Sequence, residues 1–227
     1  MNFSEKIRTT RIQIEDTKTV DSIRLIGVTK YLDIQGTEQA ILDGLTDIGE
    51  NRLQTAENKI LLLKPKYPTV KWHYLGRLQS NKAKKIINLF DYIHSIESYK
   101  TLQLIDELCV QEKKEIKVLL QLDISGEKTK QGMNKDELFQ GLEIIKTLKK
   151  AQFVGLMTMA PLTKDKNILK KIFYETKKLG KELEKKGINC LELSMGMSND
   201  YLVALEEGAT MLRLGTVLFL KEEKINE

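Results

Sequence analysis

The feature that most constrains this chain is a rhythm. Short apolar runs of strand length alternate with longer helix-patterned segments, from about residue 24 to residue 219. The candidate strands are Arg24–Lys30, Thr46–Gly49, Lys71–Gly76, Tyr92–Ser95, Lys117–Ile124, Phe153–Met159, Cys190–Met195 and Thr210–Phe219. Most are near-continuously apolar, as expected where both faces of a sheet are covered. Helical patterns fall between them at Thr37–Gly44, Asn51–Leu63, Ser80–Phe90, Ser98–Lys113, Lys135–Lys150, Lys166–Lys186 and Asn199–Glu207. In the longest, Ile168, Leu169, Ile172, Phe173, Leu179 and Leu183 share one helical stripe. Such alternation implies βαβ units and a parallel sheet. Eight strands with no obvious edge strand point to an α/β fold of the closed (β/α)8 TIM-like type, with a doubly wound open sheet as the alternative. Only 3 prolines and no linker-like stretch interrupt the chain, so one barrel is expected over residues 21–227. Residues 1–20 read as an extra N-terminal helix packing on it, patterned over Asn2–Lys18.

Composition narrows the function classes. No apolar stretch nears the roughly 20 residues of a membrane span, and the N-terminus lacks a signal-peptide core. Cys109 and Cys190 stand far apart and read as reduced structural thiols, so a cytoplasmic protein with no membrane partner is expected. The net charge of +5 is spread over helix-like segments such as Lys164–Lys186, which also carries Glu175, Glu182 and Glu184. Without aromatic interleaving these are solvated helix faces, and no nucleic-acid partner is expected. The histidines, His73 and His94, number only 2 and make no metal-ligand spacing, so no metal is expected. His73 reads as a satisfied core histidine. Gly126–Gly132 lacks the spacing and ending of a nucleotide-binding loop.

In a barrel of this kind, functional residues gather where strands end. The unusual residues of this chain fall there: Lys30, Glu50 and Asn51, Gly76 and Arg77, Met157–Pro161, Ser194–Ser198, and Gly215 with Thr216 in the last strand. Ser194–Ser198 reads as a tight, small-residue turn feeding a short helix, where backbone N–H groups and the Ser198 hydroxyl favour an anion. Gly215 and Thr216 form a second donor-rich turn, and Arg213 shares a strand face with Gly215. Two such turns beside one arginine look like a site for a phosphate-bearing cofactor. Arg213 could equally be a structural ion-pair partner. Lys30 is either a solvated lysine or, if crowded by Arg213 and partly buried, an amine nucleophile of lowered pKa. Asn51 is either a helix cap or a ligand contact, and Glu50 a structural partner for a nearby cation.

Taken together, Gly27-Val28-Thr29-Lys30, Gly49-Glu50-Asn51, Trp72–Lys82 (WHYLGRLQSNK), Gly155-Leu156-Met157, Ser194–Ser198 and Arg213-Leu214-Gly215-Thr216 resemble the pyridoxal phosphate homeostasis family. These are barrel proteins similar to the N-terminal domain of alanine racemase, and the motifs run in family order over nearly the whole chain. The resemblance implies pyridoxal 5'-phosphate as cofactor, held on Lys30 as an internal aldimine. It further implies cofactor contacts from Asn51 and Met197, phosphate contacts from Ser198, Gly215 and Thr216, and Arg213 beside the pyridine nitrogen. Thr29, Tyr31 and Leu220 depart from the usual serine, threonine and glycine without removing any of these contacts. Two functions follow: a non-catalytic carrier and buffer of the cofactor, or a small racemase-type enzyme. Related racemases take one of their two bases from an appended β-domain. None follows the barrel in this sequence, so the carrier is expected, as a monomer whose partners are apo forms of pyridoxal phosphate enzymes.

Overall fold

The computed structural model describes residues 3–124 and 132–220. Of the Gly126–Gly132 segment only Gly132 lies within the described residues. The strands β1 (Arg24–Val28), β2 (Asp47–Glu50), β3 (Lys71–Tyr74), β4 (Tyr92–Ile96), β5 (Ile116–Leu122), β6 (Ala151–Thr158), β7 (Glu192–Met197) and β8 (Met211–Leu214) form one closed parallel barrel in chain order. Closure runs through β1 and β8, with Ile26 opposite Arg213 and Gly27 opposite Leu214. The open-sheet alternative is thereby excluded.

Helices α1 (Phe3–Thr17), α2 (Ile34–Leu42), α3 (Leu53–Leu63), α4 (Ser80–Leu89), α5 (Tyr99–Glu112), α6 (Lys135–Gln140), α7 (Leu142–Lys146), α8 (Lys166–Lys185), α9 (Tyr201–Glu206) and α10 (Thr216–Phe219) complete the described elements. Several begin where a side chain caps the first turn. Asp33 accepts from Gly36 N, Ser98 from Thr101 N and Asp165 from Asn167 N, and Asn134 with Glu137 forms a reciprocal capping box. Helix α1 buries Ile7 and Ile14 in the same core as the barrel helices, and Phe3 meets Phe219 edge-on at 5.3 Å.

Two apolar regions result. The larger lies between strands and helices. The smaller fills the barrel lumen with Ile26, Tyr92, Leu119, Met157 and Met211. Strand residues therefore alternate between lumen and helix layer, which decides which polar side chains can reach the mouth.

Four sequence expectations need correction. The last strand ends at Leu214, and residues 216–219 turn into α10, so Gly215 (φ −122°, ψ −74°) does not share a strand face with Arg213. The run Thr210–Phe219 is apolar because β8 and α10 are both buried, and apolarity alone does not separate the two. The Ser194–Ser198 segment is not a turn, since β7 continues to Met197 with Gly196 at φ +93°. The helix over Lys135–Lys150 breaks at Gly141, where an added Cβ would stand 2.1 Å from the Tyr99 ring. Finally, Ile168 leaves the buried stripe of α8 and is exposed.

Candidate functional site

The C-terminal ends of the strands open into a cavity of about 470 Å³. Lys30, Asn51, Met197, Ser198, Arg213, Gly215 and Thr216 all line it, together with Val28, Leu75, Met157, Asp200 and the segment Met159–Thr163. Seven residues drawn from four separate stretches of sequence thus meet in one place.

Lys30 lies two residues beyond β1 and is exposed, with Nζ 4.7 Å from the centre of the Tyr31 ring. The partial burial expected for it is not seen; the buried neighbour is Thr29. Thr29 donates its hydroxyl to Glu50 Oε1 at 2.6 Å, and Lys59 Nζ donates to both Glu50 Oε1 and the Thr29 carbonyl at 2.7 Å. All three are buried, and Glu50 Oε2 has no hydrogen-bond partner. This ion pair on the helix side of the sheet clamps the residue next to Lys30. Glu50 does have its cation, and the cation is Lys59, one helical face into α3.

Asn51 does not cap α3. The cap position is Arg52, and no side-chain cap bond is made there. Asn51 instead lines the cavity with a buried Oδ1 that lacks a partner. On the opposite side, Ser198 Oγ accepts from Gly215 N at 3.2 Å and from Val217 N at 3.3 Å, tying the β7 and β8 loops together. Asp200 accepts from Met197 N at 2.5 Å, and burial raises its carboxyl pKa.

Arg213 is buried and donates through Nη1 to Ser194 Oγ at 2.6 Å and through Nη2 to the Thr158 carbonyl at 2.9 Å. Burial pulls its guanidinium down to about 10, against the pull of Asp200, which leaves it charged at neutral pH. Beneath it, His94 Nδ1 lies 2.8 Å from Ser194 Oγ, and His94 Nε2 lies 2.9 Å from His73 Nδ1. His73 Nε2 in turn lies 2.9 Å from Asp47 Oδ1 and stacks on Tyr92 at 4.3 Å. Desolvation lowers both histidine pKa values, opposed at His73 by Asp47 and reinforced at His94 by His73 and then by the nearby arginines. Burial works to raise Asp47, but the His73 ring, Arg24 and Thr46 outweigh it and hold its carboxyl at about 2. The sequence reading of His73 as a satisfied core residue fits its surroundings; the roles of Asp47, His94, Ser194 and Lys59 were missed. Their signal was a polar side chain inside an otherwise apolar strand, or a lysine on the buried face of a helix. Among the described residues there is no cluster of metal-ligating side chains, and no helix is long and apolar enough to cross a membrane.

Comparison with known proteins gives the family. The family model for the alanine racemase N-terminal domain matches residues 18–223. A pyridoxal phosphate homeostasis protein of Synechocystis is 39% identical over 199 residues, covering 87% of this chain and 91% of that one. Another from Vibrio alginolyticus is 32% identical, covering 93% of each. The solved structure of PipY from Synechococcus elongatus with pyridoxal phosphate bound superposes with a TM-score of 0.88 at 33% identity, over 96% of this chain and 100% of that chain. Clostridium difficile alanine racemase shares the fold at 16% identity and a TM-score of 0.76, with 59% of its length covered. The chain belongs to the pyridoxal phosphate homeostasis family, built on the alanine racemase N-terminal domain.

Proposed function

We propose that this protein binds pyridoxal 5'-phosphate at the barrel mouth and buffers and delivers it, as a cytoplasmic monomer serving apo-enzymes, without robust catalysis. The observation that carries the reading is the convergence on one cavity of an amine, a cation and a hydroxyl-bridged pair of loops. The donor set fits the group. Asn51 Oδ1 is buried without a partner, and a Cβ on Gly215 would come within 3.3 Å of the Val28 carbonyl, filling the space between the β1 and β8 ends. When bound, the cofactor supplies an aldehyde that condenses reversibly with an amine. Lys30 offers that amine, its position set by the clamp on Thr29. Ser198, Gly215 and Thr216 would hold the phosphate, Asn51 and Met197 would contact the cofactor, and Arg213 would supply a positive charge that disfavours protonation of the ring nitrogen. Two buried free thiols, Cys109 and Cys190, suit a reducing compartment.

The non-catalytic part rests on the lining. A racemase requires two proton-accepting groups on opposite faces of its substrate. Among the described residues lining the cavity, only Lys30 and Asp200 carry an amine or a carboxylate, and Asp200 is engaged with Met197 N beside the phosphate-side loop. An arginine at the ring nitrogen also makes the cofactor a poorer electron sink, against transamination. The relatives named for pyridoxal phosphate homeostasis point the same way. The deciding assay is deuterium exchange at Cα across an amino-acid panel, with free pyridoxal phosphate as control. Exchange at the control rate is expected. Exchange well above it, lost in Lys30→Ala, makes the protein an enzyme.

Phosphate recognition gives a second expectation. Ser198→Ala should weaken pyridoxal phosphate retention about 10- to 150-fold, the equivalent of one charge-assisted hydrogen bond of about 1.5–3 kcal/mol. Pyridoxal lacking the phosphate should bind correspondingly worse in equilibrium titration. Equal binding of the two would remove the loops from the phosphate role.

A further inference from the structure

One continuous hydrogen-bonded chain crosses the barrel lumen from its lower layer to the cavity. It runs Asp47, His73, His94, Ser194, Arg213, with successive separations of 2.9, 2.9, 2.8 and 2.6 Å. Every member is buried, and the first four line no part of the cavity. They come from β2, β3, β4 and β7, so four strands are committed to supporting one side chain on β8.

The two ends fix the direction of every hydrogen bond. A guanidinium only donates, so Ser194 Oγ must accept from Arg213. The Ser194 hydroxyl hydrogen then goes to His94 Nδ1. A neutral His94 with a bare Nδ1 carries its hydrogen on Nε2 and donates it to His73 Nδ1. His73 in turn carries its hydrogen on Nε2 and donates to Asp47 Oδ1. Asp47 can only accept when ionised, and Arg24 Nη1 at 2.9 Å and Thr46 Oγ1 at 2.8 Å also donate to it. With both rings neutral, reversal would need a protonated Asp47, whose carboxyl is held at about 2, and would take His94 away as acceptor of the Ser194 hydroxyl hydrogen. A protonated histidine would leave two donors facing each other or strand the serine hydrogen. The chain is therefore fully satisfied in one arrangement, with every acceptor end turned toward Arg213.

We propose that Asp47, His73, His94 and Ser194 form a positioning relay that holds the Arg213 guanidinium at the cavity wall and tunes the bound cofactor through it. The proposal rests on the pyridoxal phosphate reading above. Among the described residues the hydrogen-bond partners of Arg213 are neutral oxygens, Ser194 Oγ and the Thr158 carbonyl, and Asp200 acts on its charge without a hydrogen bond. The aligned dipoles stabilise that charge inside the lumen, while the Asp47 carboxylate at the far end is paired with Arg24. The Arg213 charge is thereby kept for the cavity that Arg213 lines. Asp47, His73 and His94 touch no bound ligand in this arrangement; they act through Arg213 alone.

Two readouts test this. In cofactor-free protein, nitrogen-15 NMR of the histidine rings should show both neutral and protonated on Nε2 throughout about pH 5–8, where an ordinary histidine titrates. A ring that titrates in that range, or carries its hydrogen on Nδ1, overturns the relay. In titrations with pyridoxal phosphate, His94→Leu should raise Kd about tenfold, or about 1.4 kcal/mol, and shift the visible band. Asp47→Asn, which keeps the side-chain size at the far end, should shift the band in the same direction by less. In an Arg213→Gln background, His94→Leu should add nothing, because coupled groups are non-additive. A His94→Leu variant that loses thermal stability yet keeps wild-type Kd and band has only a packing role, and this overturns the proposal. Equal effects in both backgrounds do the same. If wild-type protein takes up no pyridoxal phosphate, the functional reading and the tuning claim both fail, and the NMR result alone then decides the relay.

Discussion

Lys30→Ala protein emerges from desalting colourless after incubation with pyridoxal phosphate, where wild type keeps its visible band: this is the largest functional effect expected of any single substitution. Among the described residues lining the cavity Lys30 is the one lysine, and it follows β1, the neighbour of β8, whose end carries the Gly215 bonded to Ser198. Its side chain is exposed and buries no core contact, so folding should be nearly untouched, within about 0.5 kcal/mol. Loss of the band with an unchanged melting curve separates a lost attachment from a lost fold. A Lys30→Ala protein that keeps the band would place the amine elsewhere.

The largest effect on stability is expected at Lys59. Its ammonium is buried and is shared between Glu50 Oε1 and the Thr29 carbonyl, while Glu50 Oε2 already lacks a partner. Lys59→Met leaves a carboxylate inside the molecule with no countercharge, a change that costs about 3–5 kcal/mol. For a chain of this size that corresponds to a melting temperature lower by about 6–20 °C. Adding Glu50→Gln removes the stranded charge and should restore more than half of the loss. A Lys59→Met protein that melts within a few degrees of wild type would mean that water or a rearranged Glu50 neutralises the site, and the clamp on the Lys30 turn would be no clamp.

The fold was legible because each barrel strand is covered on both faces, which writes a nearly continuous apolar run into the chain, and because helix starts such as Asp33, Ser98 and Asp165 carry their own caps. Failures came where burial hides the backbone state. Val217, Leu218 and Phe219 are as apolar as a strand yet form α10, and at Gly141, where the helix breaks, a tyrosine over forty residues away in the chain leaves no room for a side chain. The cavity-lining residues were legible from their place at strand ends. The lumen chain was not, because His94 and Ser194 are separated by 100 residues and become neighbours only when the barrel closes. Lys59 was hidden for a similar reason: on α3 it reads as one more surface lysine, and only the packing of α3 on β2 turns it toward Glu50.

The central claim is that one lysine at the barrel mouth carries the cofactor. Borohydride reduction of the loaded wild-type protein, followed by peptide mass mapping, tests it most directly. A single pyridoxyl mass on the peptide containing Lys30 is expected. The same mass on the peptide containing Lys82, or spread over several lysines, would contradict it.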